Sequence, residues 1–226
     1  MFELQGAAHQ MRCPAPEGLR DVRGREFLWP VRLLHGQARR EEVSMTSEKQ
    51  NAINDGLCSS DRERMLGALN ALNELLRARE ADSSSLRPLT ALLRDGDAEV
   101  RRAATWSIAK LAQNKAVDDA PLNILIDLLA DVDEEVRENA AWALGELAGA
   151  SGKDEAIEPL NVLLDDANAQ VRGMAVWALG RMAERMQLAH RSSVPRLEAL
   201  LDDRSLYVSK GAAWTLERIR PLDPQA

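Results

Sequence analysis

Asp131-Val-Asp-Glu-Glu-Val136-Arg-Glu-Asn-Ala-Ala-Trp142-Ala-Leu-Gly-Glu-Leu147 is the stretch on which the fold turns, because its second half recurs three more times along the chain. The other copies are Val100-Arg-Arg-Ala-Ala-Thr-Trp106-Ser-Ile-Ala-Lys-Leu111, Val171-Arg-Gly-Met-Ala-Val-Trp177-Ala-Leu-Gly-Arg-Met182 and Val208-Ser-Lys-Gly-Ala-Ala-Trp214-Thr-Leu-Glu-Arg-Ile219. Their Val residues are 36, 35 and 37 positions apart, and the Trp residues keep the same steps. A fixed period of this length is the mark of a stacked repeat architecture.

Working outward from each Val, three residues before it stand Asp97, Asp133, Asn168 and Ser205. These side chains accept the orphan N–H groups of a helix start, so a helix, here called B, begins at each. Five residues before the Val lie Asp95, Asp131, Asp166 and Asp203, and directly after it Arg101, Arg137 and Arg172, with Ser209 breaking the pattern in the last copy. We expect these aspartates to bond turn N–H groups or the arginines and so to tie repeat to repeat. Ahead of every turn runs a Leu-rich stretch with a proline at its start, Pro88, Pro121, Pro159 and Pro195. Proline suits a first helical turn, where its missing N–H has no partner to lose. Each repeat is therefore helix A, tight turn, helix B. The repeats occupy about 86–114, 121–150, 157–186 and 194–220, followed by a tail at 221–226.

The motif resembles the HEAT-repeat superfamily, specifically the short-repeat subgroup named after phycobilisome lyases, whose pattern Asp131 to Leu147 follows almost letter for letter. The resemblance covers about 135 residues and implies an all-α, right-handed α–α superhelical solenoid of four helix pairs with the B helices on its inner wall. It is specific for architecture and says little about function, since the signature encodes packing. Ser209 and Glu217 depart from it in the last repeat, as a terminal capping repeat often does.

Upstream of the repeats, residues 45–85 read as an N-terminal capping region. Ser59 or Ser60 is placed to cap a helix from about Asp61 to Arg79, with Met65, Leu66, Leu69, Leu72, Leu75 and Leu76 as its apolar stripe. A short helix at 46–55 ending at Gly56 precedes it, and Ser83 to Ser85 read as a loop. Residues 1–44 have seven Arg, no Lys and no apolar periodicity, which reads as a disordered tail. Met45, just ahead of a good helix cap at Thr46 or Ser47, offers an alternative start.

Composition bounds the function. Residues 45–226 carry 22 basic against 30 acidic side chains, with five Lys in the whole chain, a poor match for duplex nucleic acid, which calls for a basic excess. Cys13 and Cys58 have no metal or disulfide spacing, and no apolar run reaches the roughly 18 residues of a membrane span. The chain reads as cytoplasmic. His9, His35 and His190 form no ligand pair, and His190 is expected in an exposed loop. HEAT-like deoxyhypusine hydroxylases need repeated His-Glu pairs, which are missing. The turns at Asp95-Gly-Asp97 and Asp131-Val-Asp133 lack the glycine and the closing glutamate of a calcium loop and are read as caps. Tetratricopeptide spacing of Trp and Leu-Gly does not fit. Gly145 and Gly180 fall mid-helix, where a missing side chain permits close packing.

On a wheel of about 100° per residue from the key Val, positions +4, +8 and +11 cluster within about 80° and form the buried face, whereas Trp at +6 falls at about 240°. Trp106, Trp142, Trp177 and Trp214 therefore point off the core and form a row. Arg102, Glu138, Gly173 and Lys210 lie on one side of it, and Lys110, Glu146, Arg181 and Arg218 on the other. Two readings stay open. The row is a groove that grips a peptide or helix of a protein partner, aromatic and Arg residues being those that carry interface energy, or it is lateral packing between B helices. The expected function is a non-enzymatic scaffold with no cofactor. The rivals are a bilin lyase or isomerase subunit, whose tetrapyrrole a Trp-lined groove would suit, and a HEAT-like DNA glycosylase using Glu138 or Glu146. The chain shows no evident acid, base or nucleophile for the first, and its five Lys and acidic excess oppose the second.

Overall fold

The turn before each B helix is built by two side chains in relay. In the computed structural model, which describes residues 47–115, 117, 121–148 and 154–223, Asp95 accepts the Asp97 N–H at 2.8 Å and Asp97 accepts the Glu99 N–H at 2.9 Å. Asp131 and Asp133 repeat the arrangement, as do Asp166 and Asn168. Each cap is held in extended backbone, so the helix has a sharp start. In the last repeat Asp203 accepts the Ser205 N–H at 2.7 Å, but the Ser205 side chain makes no cap bond, contrary to expectation.

Among the described residues every element is helical. They are α1 (47–57), α2 (Arg62–Ala78), α3 (Leu86–Leu92), α4 (Ala98–Gln113), α5 (Leu122–Leu128), α6 (Glu134–Leu147), α7 (Ile157–Leu163), α8 (Ala169–Met186), α9 (Val194–Ala199) and α10 (Leu206–Ile219). The prolines sit in or just before the first turns of α3, α5, α7 and α9, with Pro121 at the cap position of α5 rather than inside the helix. The expected tail at 1–44 and the start at Met45 lie outside the described residues.

All the positions assigned to the B-helix core are buried: Val100, Ala104, Ile108 and Leu111, and their counterparts through Val208, Ala212, Leu216 and Ile219. They meet Leu89 and Leu93, Leu125 and Leu129, Leu160 and Leu164, and Leu197 from the A helices. The core is thus the layer between the two rows of helices. Within the B row α4, α6, α8 and α10 pack side by side through Ala and Gly, while among the described residues neighbouring A helices hardly touch. The B helices therefore form one closely packed side of the stack.

The conserved-looking Asp and Arg positions of the motif join the repeats. Arg101 makes a two-pronged ion pair with Asp131 of the next turn, Nε at 2.8 Å and Nη2 at 2.9 Å, and its Nη1 donates to the Asp95 carbonyl of its own turn. Arg137 and Asp166, then Arg172 and Asp203, do the same. Both anticipated roles of the aspartates are met at once. Burial alone would raise the Asp131 and Asp166 carboxyls, but the hydrogen bonds from Arg101 and Arg137 and from the turn amides hold both below the usual carboxylate range.

The N-terminal region departs from its sequence reading in two ways. Asp61, not Ser59 or Ser60, caps α2, accepting the Glu63 N–H at 3.0 Å, and Ser59 takes the place of the motif aspartate by accepting the Asp61 N–H at 3.1 Å. Ser83–Ser85 is a 3-10 turn capped by Asp82, and Ser85 is buried against Gln50 and Asn54. Most of the predicted stripe is covered, Leu69, Leu72 and Leu76 fully, because α2 lies beside α4 as one B helix beside the next. Arg62 reaches Asp97 and Glu99 at the start of α4, so α2 continues the stack with the chemistry of a degenerate repeat.

His190 overturns its sequence reading. It is only 5% exposed, with Nε2 3.0 Å from the Leu179 carbonyl and Nδ1 2.9 Å from the Ser193 hydroxyl. The loop folds back onto α8, and both ring nitrogens are satisfied there. Burial pushes the imidazole below its ordinary value.

Candidate functional site: the tryptophan wall

Trp106, Trp142, Trp177 and Trp214 are all half-buried, one from each B helix, on the side of the helix away from the Val-Ala-Leu core. Their exposure is partial because Trp142, Trp177 and Trp214 each lean on the B helix before them, and Trp106 meets Trp142 of the next. The Trp177 ring lies on Gly145, where a Cβ would come within 2.6 Å of Cζ3, and the Trp214 ring lies on Gly180, where it would come within 2.2 Å. The mid-helix glycines are therefore seats for the next repeat's indole. Position 109, the same register in the first repeat, is Ala, and there Trp142 meets Trp106 edge to face, with centroids 6.4 Å apart and planes at 67°.

A cation covers each ring. Arg77 lies 5.6 Å from the Trp106 centroid, Lys110 5.9 Å from Trp142, Arg181 5.8 Å from Trp177 and Arg218 3.7 Å from Trp214. The indoles thus serve as packing between helices while keeping a face on the wall, and neither sequence reading excludes the other.

The flanking residues divide by whether the protein already uses their charge. Arg102 lies 3.2 Å from Asp133 and 3.7 Å from Glu135, Arg181 2.6 Å from Glu184, and Glu146 3.1 Å from Arg185. Lys110 donates to Gln113, and Arg218 donates to the Trp214 carbonyl. Lys210 is exposed and has no ion pair among the described residues. Glu138 is half-buried, and burial first, then the neighbouring Glu135, pushes its carboxyl above the usual range.

Sequence reasoning missed Tyr207. At position −1 it falls at about 260° on the helical wheel, close to Trp, so the same geometry would have found it. Its ring lies against Gly173, where a Cβ would come within 2.0 Å of Cε1, and burial together with Glu138 raises its hydroxyl. Between α8 and α10, Trp177, Trp214, Tyr207, Leu206 and Lys210 enclose an open cleft of about 590 Å³, with Gly173 and Gly211 leaving room at its floor. Among the described residues no cluster of His, Cys, Asp and Glu is grouped to hold a metal ion, and no helix is long and apolar enough to cross a membrane.

Comparison with known proteins agrees with this architecture. The family model described as HEAT repeats matches residues 86–161, 122–190 and 157–226. Among solved structures, a designed armadillo repeat protein in complex with the peptide (KR)4 is 26% identical, with a TM-score of 0.62, covering 81% of this chain and 92% of that one. A second designed armadillo repeat protein is 27% identical with a TM-score of 0.63, covering 79% and 86%. Computationally designed armadillo repeat proteins for modular peptide recognition reach 29% identity with a TM-score of 0.61, covering 75% and 82%. No curated protein matches the chain.

Proposed function

The chain belongs to the HEAT-repeat family, and from that premise we propose that it is a non-enzymatic, cytoplasmic interaction module that holds a peptide or helix of a protein partner along the row from Trp106 to Trp214. The observation that carries this reading is that the four indoles, although partly buried, all keep surface exposed along one side of the B row. Each ring is held by a cation and by a neighbour, Trp177 and Trp214 on glycine seats and Trp106 and Trp142 on each other, so a partner would meet an ordered aromatic surface at little entropic cost. The similar designed armadillo protein whose structure contains (KR)4 supports a peptide as the class of occupant. Within the family, the Asp131–Leu147 motif supports assignment to the phycobilisome-lyase-type short-repeat subgroup.

The test is cross-linking and pull-down of the wild-type chain beside Trp142→Ala. Truncating a half-buried indole costs less than the roughly 3 to 5 kcal/mol of a fully buried one, so the variant stays folded at moderate temperature. Partner binding per folded molecule should weaken by about 2 kcal/mol or more, as for a central aromatic anchor. Undiminished binding would reduce the row to an adhesive between repeats.

A further inference from the structure

The two ends of the wall differ in how their cations are employed. Near α2 and α4, Arg62 is paired with Asp97 and Glu99, Arg77 with Glu74, and Arg102 with Asp133 and Glu135. On α10 neither wall cation has an ion pair among the described residues, although Glu217 lies in the same helix. Lys210 has no ion pair among the described residues, and Arg218 lies over Trp214 with its Nε buried and without a hydrogen-bond acceptor. Lys210 and Arg218 thus present positive charge that no carboxylate among the described residues pairs with, on a chain whose residues 45–226 have an acidic excess.

The same end holds the cleft between α8 and α10. At about 590 Å³ it lies in the range of ligand sites, and Lys210 is the one charged side chain lining it. Its rim leaves large apolar surface in water, with Leu206 64% and Tyr207 50% exposed. An apolar hollow rimmed by aromatic rings, with one cation at its edge, matches a bulky apolar side chain that carries a carboxylate beside it in sequence. A Lys-Arg peptide would bring like charge to Lys210 and Arg218. Glu138, whose charge acts on the Tyr207 hydroxyl, does not line the cleft.

We propose that the α8–α10 cleft seats a Phe or Leu side chain of an acidic partner segment, whose flanking carboxylate pairs with Lys210. This rests on the reading of the Trp row as a partner surface and specifies the chemistry of what binds at its C-terminal end. The cleft takes the apolar side chain out of water and supplies most of the contact, while the exposed Lys210 selects for charge and speeds encounter.

Fluorescence anisotropy on the full chain tests it with three labelled octapeptides: Asp and Glu around a central Phe-Leu pair, the same peptide with Asn and Gln in place of the acids, and (Lys-Arg)4. The acidic peptide should bind about tenfold or more tighter than its amide counterpart, and the gap should shrink as salt rises from about 50 to about 500 mM. Lys210→Glu should cost about tenfold or more, Lys210→Arg little, and Arg87→Glu, the same charge change on the exposed face of an A helix, little. Thermal melts confirm that each variant folds. Acidic-peptide binding that ignores Lys210→Glu, or no acidic-peptide binding at all, overturns the inference. If (Lys-Arg)4 binds tighter and Trp142→Ala weakens it, the Trp row stands as a partner surface and only the acidic chemistry fails.

Discussion

The indole of Trp214 rests on the backbone of Gly180, so closely that a methyl group at position 180 would stand 2.2 Å from Cζ3 and 2.7 Å from Thr215 Oγ1. A helix interior ordinarily gains about 1 kcal/mol when Gly becomes Ala. Here the gain is overridden, because the ring or the helix must shift, at about 1 to 3 kcal/mol for an overpacked contact. Gly180→Ala should lower the melting temperature and change the tryptophan emission. Gly67→Ala is the internal control, since nothing lies within 4 Å of its added methyl on α2, and it should raise stability by about 0.5 to 1 kcal/mol. Equal effects from the two substitutions would contradict the seat.

The bridges between repeats should dominate acid sensitivity. Arg137 and Asp166 are 17% and 10% exposed, and removing one partner strands the other charge. Arg137→Ala should therefore cost about 3 to 5 kcal/mol in chemical denaturation. Asp131, Asp166 and Asp203 all titrate below their ordinary value in the folded chain. Their stabilisation is complete above the unfolded carboxylate pKa of about 4 and is lost as pH falls through the folded values. Melting temperatures measured from pH 5 down to pH 2 should drop, and the drop should be shallower in Arg137→Ala.

His190 should act in a different window. Its folded pKa is depressed by burial, so the unfolded chain takes up the proton first. Stability is full above the unfolded value of about 6.5 and declines as pH falls from there toward the folded pKa, below which no further loss accrues from this group. His190→Gln should flatten the melting temperature between about pH 7.5 and 5.5. An unchanged slope would assign the effect elsewhere.

Caps of identical sequence position should respond unequally. Asp133 accepts N–H bonds from Glu135 and Val136, both at 3.1 Å, whereas the Ser205 side chain accepts none. Asp133→Ala should cost about 1 kcal/mol and Ser205→Ala only a few tenths. Denaturant titrations of the two variants distinguish them. Calorimetry with calcium should show no stoichiometric uptake by the wild type, since the turn oxygens are engaged with amides and arginines.

Periodicity alone determined the repeat number, the helix pairs, the buried Val-Ala-Leu face and the turn aspartates, because each depends on spacing within about ten residues and recurs in every copy. Even Tyr207 stood at a legible angle, and was missed only because no other repeat has an aromatic residue there. What the sequence left open depended on a neighbouring helix. Wheel geometry turned the Trp row off the core correctly but could not register the glycine seats of the preceding repeat, on which the Trp177 and Trp214 rings lie. It gave Arg102 and Glu146 as available charges, and tertiary packing engaged both in ion pairs with the next repeat, while Lys210 has none among the described residues and Arg181 pairs with Glu184 one turn on in its own helix. His190 looked like a loop residue because its partners, the Leu179 carbonyl and Ser193, come within reach only when the connection folds back on α8. Local periodicity decides which side of a helix faces inward. The exposure of a side chain on the other side is decided by the shape and charge of the next helix, which only the assembled stack supplies.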